Sequence, residues 1–275
     1  MTTAFECRTL TVLLAILLSR LPSLGAEPHD PNHAHDPSGR TAYYLAEHGD
    51  FDIGFEDGQL DLHIHLHAGA IVDGNALEED TGFDPGELIV VATREAKILR
   101  PAGALWDPMG VDANEPLWVL PQHEKEGVPA FGLATEEIEP GVLVGDVVTL
   151  NLRYLKGPGD FCLWANDAFG QPTFALSTHA RRLSNSLPVA LHAHYNWGFT
   201  QPGTYTLVFE VAAGLVDGGS TSALAIYTFL VSEKPIVLET LPGDVNLDGV
   251  VDVLDLAIVL DNVGRIAPVW PHNEK

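Results

Sequence analysis

The sequence predicts a mainly β fold, an antiparallel β-sandwich that carries a small C-terminal EF-hand-like loop and helix. Three observations lead there. Between residues 43 and 231, short runs rich in β-branched and aromatic residues recur, and no long helical period interrupts them. Turn formers such as Asp57-Gly58, Asp73-Gly74-Asn75, Gly157-Pro158-Gly159-Asp160 and Asp217-Gly218-Gly219 separate the runs, because Gly accepts positive φ while Asp and Asn bond their own backbone in tight turns. Beyond them, the stretch that begins at Asp244 carries oxygen-bearing side chains at the spacing of a calcium loop.

Residues 1–26 read as a secretory signal. Arg8 precedes an apolar run from Leu10 to Leu18 that is too short to span a bilayer, and Leu24-Gly25-Ala26 is a small-residue cleavage site. The expectation is a secreted, extracellular or cell-surface protein with no transmembrane segment after the signal. Residues 27–42 hold Pro28, Pro31 and Pro37 and few apolar side chains, a linker that cannot bury enough surface to offset the entropy of ordering it. His29, His33 and His35 within it form a tract of the kind that scavenges metal, with a solvated spacer as the plainer account.

The formal net charge is −24, from 38 Asp and Glu against 14 Lys and Arg. Such a surface repels phosphate backbones and anionic lipid heads and attracts cations, which argues against nucleic acid as a partner. Of the two cysteines, Cys7 falls in the signal. Cys162 is then left without a disulfide partner and reads as a small buried apolar residue within Phe161-Cys162-Leu163-Trp164.

Predicted strands cover residues 51–55, 59–67, 87–93, 117–120, 146–155, 161–166, 173–177, 189–200, 204–212 and 222–231, all inside one β domain over 43–232. Gly203-Thr204-Tyr205 places a tyrosine at the opening of an alternating strand near the end of that domain. The penultimate strand of immunoglobulin-like sandwiches has such a tyrosine, whose hydroxyl bonds a corner backbone. The span 74–140, rich in Gly, Pro, Asp and Glu, reads as long loops with one or two strands. Trp106, Trp118, Glu136, Glu137 and Glu139 lie in or near it. Paired acids serve glycosidases, but an acidic run in so acidic a chain is more often a solvated face.

Two stretches carry candidate chemistry. In 189–200, His192, His194 and Asn196 share one strand face while Ala193, Tyr195 and Trp197 share the other. In 61–67, Asp61, His63, His65 and His67 lie opposite Leu62, Ile64 and Leu66. His-X-His sets two imidazoles about 7 Å apart on one face, and zinc takes three or four nitrogen or carboxylate ligands. His63, His65, His192 and His194 are therefore the candidate transition-metal ligands, with His67, Asp61 or Asn196 as a further ligand or outer partner. The sandwich is expected to bring the two rows together. The alternative is two rows of imidazoles on a solvated, hydrogen-bonded sheet face.

After a linker at 233–243, Asp244, Asn246 and Asp248 supply side-chain oxygens to the calcium loop and Gly249 makes its sharp turn. Val250 gives its carbonyl, Asp252 ligates directly or through water, and Asp255 closes the shell. The following helix ends at Val263, capped by Gly264, and carries an apolar stripe of Leu256, Val259, Leu260 and Val263. Such a stripe must pack on the sandwich, on a second EF-like unit or on a partner protein. This unit spans 244–264, and 265–275 form a tail.

The calcium loop with a closing Asp and a helix only after it resembles one repeat of a type I dockerin. That family binds calcium through two repeats and docks to cohesin domains, so the resemblance implies calcium and a cohesin-like or other surface partner. One repeat is present here, which leaves cohesin binding open. The β domain is similar to the bacterial surface domain known as choice-of-anchor M and to the actinobacterial surface-anchored repeat. The similarity is carried by Glu56-Asp57-Gly58 with Asp61-Leu62-His63-Ile64-His65, by Pro116-Leu117-Trp118-Val119-Leu120-Pro121-Gln122, by Gly132-Leu133-Ala134-Thr135-Glu136-Glu137-Ile138, by Gly157-Pro158-Gly159-Asp160-Phe161 and by residues 192–211. Members are secreted or wall-attached and often occur beside importers of zinc or manganese, and no enzymatic activity is implied.

The expectation is thus a secreted, non-catalytic surface module that binds calcium at its C-terminal loop and a zinc-type ion on the two His strands. Two other classes stay open. One is an adhesive or carbohydrate-binding sandwich whose His and Trp residues touch a ligand directly. The other is a metal-dependent enzyme that uses the same histidines with an open coordination position.

Overall fold

The computed structural model describes residues 34–35, 41–234, 236 and 253–262. The calcium-loop positions Asp244, Asn246, Asp248, Val250 and Asp252, and the side chain of Asp255, lie outside the described residues. So do the signal and most of the His-rich linker.

The chain is mainly β and forms two sheets. Its early strands are β1 (Ala34–His35), β2 (Ala42–Glu56), β3 (Gln59–Leu66), β4 (Ile71–Val72), β5 (Asn75–Ala76), β6 (Thr81–Phe83) and β7 (Leu88–Ala92). Next come β8 (Lys97–Leu99), β9 (Pro116–Leu120), β10 (Pro129–Ala134), β11 (Val147–Lys156), β12 (Phe161–Asn166) and β13 (Pro172–Ser177). The last are β14 (Ser184–Pro188), β15 (His192–His194), β16 (Asn196–Phe199), β17 (Gly203–Gly214) and β18 (Ser220–Val231), followed among the described residues by the helix α1 (Val253–Asn262). The larger sheet runs β1-β6-β3-β2-β7-β18-β17-β11-β14, with β10 on β2, β15 on β10, and the β4–β5 hairpin on β2. The smaller runs β13-β12-β16-β9-β8.

The inner faces of the two sheets meet in one aromatic core. Trp197 and Phe161 of the small sheet lie 5.1–6.3 Å, ring centre to ring centre, from Phe131, Phe209 and Phe229 of the large one. All are fully buried, so the apolar half of each alternating strand leaves water here. A smaller cluster on the outer side of the small sheet holds Met109, Leu117, Val119, Cys162, Trp164 and Phe174. Burial pushes the Cys162 thiol well up, which suits a packing role over a nucleophilic one.

Three sequence expectations need correction. The larger sheet is mixed and not purely antiparallel: β2 and β7, β7 and β18, and β10 and β2 pair in parallel. Parallel neighbours need long crossovers, and residues 57–87 (β2 to β7), 57–128 (β2 to β10) and 93–219 (β7 to β18) supply them. Next, 189–200 is two strands in different sheets, with β15 on β10 and β16 between β12 and β9. Asn196 therefore leaves the histidine row. It is buried in the small sheet, where its side chain accepts from the Gln122 backbone N–H and donates to the Trp164 carbonyl. Finally, the 74–140 span contains β10, a central strand that Pro129 and Gly132 disguise as loop.

The Gln201-Pro202 turn is a corner between sheets, since β16 and β17 belong to different ones. Tyr205 locks it. Its hydroxyl donates to the Gln201 carbonyl at 2.9 Å and accepts from the Gln201 N–H at 3.1 Å. Exposed apolar side chains gather on α1, at Val253, Leu256, Val259 and Leu260. Among the described residues no helix is long and apolar enough to cross a membrane.

Candidate metal centre

The outer face of the β3-β2-β10-β15 strip carries the site. Leu62, Ile64 and Leu66 point into the core, which by alternation turns Asp61, His63 and His65 outward. Register then fixes the rows. His65 stands opposite Asp50, Asp50 beside Gly132, and Gly132 opposite His194, while His63, Asp52, Ala134 and His192 form the next row.

Irregular backbone early in β2, where the ladder to β4 also slips between Tyr44 and Ala46, puts the later β2 residues on this face. From Ala42 to Ala46 the even-numbered residues are buried in the core, yet beyond Glu47 the core side chains are Phe51 and Ile53. Glu47 has φ of 72°, a left-handed conformation at the point where the alternation flips. Without it, His48, Asp50 and Asp52 would point into the aromatic core.

The two histidine rows sit three strand spacings apart, about 14 Å at about 4.8 Å each, and His48 fills the interval. Its ring stacks at 4.4 Å on His67 and 4.8 Å on His194, and His67 stacks at 4.8 Å on His65 while His194 lies 5.4 Å from His192. The result is a continuous file of five imidazoles. This corrects the expected ligand set: His63 and His65 do not gather with His192 and His194. Ligand atoms within 4.8 Å of one another group instead as His48 with His192 and His194, His48 with Asp50 and His67, His65 with His67 and Asp80, and His63 with Asp52 and Glu137.

Asp50 is the hub. It is buried, with Oδ2 3.2 Å from His67 Nε2 and 3.5 Å from His48 Nε2, and Oδ1 3.3 Å from His192 Nε2. Neither His48 Nε2 nor Asp50 Oδ1 makes a well-formed hydrogen bond, although both are buried. Gly132 opens the space, since a Cβ there would sit 2.0 Å from Asp50 Oδ1. These separations suit an ion: bonds of about 2.0–2.2 Å at tetrahedral angles hold zinc ligands about 3.3–3.6 Å apart. Glu136 Oε2 sits 2.8 Å from His192 Nδ1 and leaves Nε2 facing Asp50, the way an outer carboxylate orients an imidazole in metal sites.

Without an ion, protons balance these charges. Burial opposes the His63 charge, but the hydrogen bond to Asp61 and the nearby carboxylates of Glu137 and Asp52 outweigh it and push His63 up to about 10. His48 and His65 are raised through Asp50 and Asp52, whereas burial and the charge of His48 lower His194. Asp50 is lowered: burial opposes its charge, and the close approach and charge of His48 prevail. A raised imidazole stabilises the fold fully below its unfolded value, near 6.5, and the contribution disappears as pH rises through the folded value. Asp50 acts in the opposite sense, stabilising above its ordinary 3.8 and losing this as pH falls. Urea unfolding of chelator-treated protein is expected to show stability falling between about pH 6.5 and 10, and His63→Asn should flatten that fall.

Of the residues that complete the site, His48, Asp50, Asp52 and Asp80 escaped the sequence reading. The alternation of His48, Asp50 and Asp52 with Gly49, Phe51 and Ile53 was the available signal. Glu136 and Glu137, expected on a solvated face, touch His192 and approach His63. No family model, no curated protein and no solved structure matches this chain.

Proposed function

We propose that this protein is a secreted, non-catalytic surface module of the choice-of-anchor M kind that binds zinc through His48, His192, His194 and Asp50. The observation that carries this reading is a buried, poorly bonded carboxylate among imidazole nitrogens at zinc-ligand separations. Three imidazoles and one carboxylate are a donor set that zinc accepts. Trp118, Trp164 and Trp197 are buried and offer no stacking platform, which leaves half-buried Trp106, among the described tryptophans, to the adhesive alternative. The Tyr205 corner supports assigning the sandwich to the immunoglobulin-like type.

The loop from Asp244 to Asp255 we assign to calcium on its ligand spacing, with the apolar face of α1 available to a cohesin-like or other surface protein. Elemental analysis of protein purified without chelator tests both assignments. At least one equivalent of zinc is expected, lost in His192→Ala, and one of calcium, lost in Asp248→Ala. Protein without zinc after dialysis against it overturns the zinc reading. Zinc-dependent hydrolysis that disappears in His65→Ala would favour the enzyme instead.

A further inference from the structure

A second cluster lies on the same face, away from His48, His192 and His194. Strand pairing sets Gly54 opposite Asp61 and Asp52 opposite His63. A Cβ on Gly54 would meet Asp61 Oδ1 at 2.2 Å and Glu137 Oε2 at 2.9 Å, so the absent side chain is what lets two carboxylates from distant parts of the chain converge. His63 is held as His192 is. Its Nδ1 lies 3.0 Å from Asp61 Oδ2, which turns Nε2 toward Glu137 Oε1 at 3.7 Å and Asp52 Oδ2 at 3.8 Å. Asp52 is buried, and both approaches are too long for hydrogen bonds. A buried carboxylate, a second carboxylate and an oriented imidazole thus surround a gap none of them closes.

We propose that Asp52, His63 and Glu137 form a second divalent-cation site, oriented by Asp61 and harder in its donors than the imidazole site. The inference extends the metal-binding reading but stands on different residues. Two carboxylates with one imidazole suit manganese, whereas three imidazoles suit zinc. Asp61 takes the outer role that Glu136 plays for His192. Gly54 is to this site what Gly132 is to the other, the strand position whose missing Cβ makes room for the ligands.

The test is a manganese titration of the full chain, followed by the electron paramagnetic resonance of free Mn²⁺, in millimolar calcium so that the C-terminal loop is filled. His194→Ala is expected to keep one manganese equivalent, and adding Glu137→Gln to it should weaken that binding at least about tenfold, with circular dichroism unchanged. Gly54→Ala reaches the same result without removing a ligand. Equal loss of manganese in His194→Ala, unchanged binding in the Glu137→Gln double variant, or no binding by the unmodified chain overturns the proposal. Zinc titrations of the same proteins judge the imidazole site separately, since its failure would appear as zinc binding indifferent to His194.

Discussion

Replacing His48 by alanine is expected to weaken zinc binding by about a hundredfold or more, because even outer partners of a metal ligand are worth about 10–100-fold and His48 belongs to two of the ligand groupings. Its ring also joins the two halves of the imidazole file, lying 4.4 Å from His67 and 4.8 Å from His194. Competition against a chromogenic chelator measures the change. Gly132→Ala should produce a comparable loss while every ligand remains, since its Cβ claims the space of the Asp50 carboxylate. Asp80→Ala, at the far end of the file and half-exposed, should cost much less. Wild-type affinity in His48→Ala would move the ion elsewhere.

Trp197→Ala is expected to destabilise the fold by about 3–5 kcal/mol, the usual cost of deleting a large buried aromatic, a substantial part of a typical domain's stability of about 5–15 kcal/mol. Trp197 is fully buried among Phe51, Phe131, Phe161, Phe209 and Phe229. Its indole N–H donates to the Phe131 carbonyl at 2.7 Å. Truncation removes the wedge between the sheets and leaves that β10 carbonyl buried without its donor. Since β10 also carries Gly132, site and core share a strand. The urea midpoint measures the loss, and Trp197→Phe, which loses the hydrogen bond but keeps much of the volume, should fall between wild type and alanine. A midpoint unchanged in Trp197→Ala would mean that the two sheets hold together without this contact.

Local chemistry was legible in the sequence. Period-two alternation exposed the strand at 59–67 and the outward face of His63 and His65, because side chains on a pleated strand alternate whatever packs on them. Gly203-Thr204-Tyr205 announced a corner that the Tyr205 hydroxyl closes. Non-local register was decided by the tertiary structure. Whether two rows of imidazoles meet depends on how many strands lie between them, and β10, with its Pro129 and Gly132, carries too little β propensity to declare itself between β2 and β15. The phase of β2 reverses at Glu47, and nothing about a glutamate in sequence marks a residue at φ of 72°. That reversal turns Asp50 and Asp52 away from the aromatic core and toward the histidines. Asn196 made the opposite journey, leaving a row it belonged to by spacing because β16 pairs in the other sheet. Spacing along the chain specifies which residues share a strand face, but pairing between strands far apart in sequence specifies which faces assemble a site.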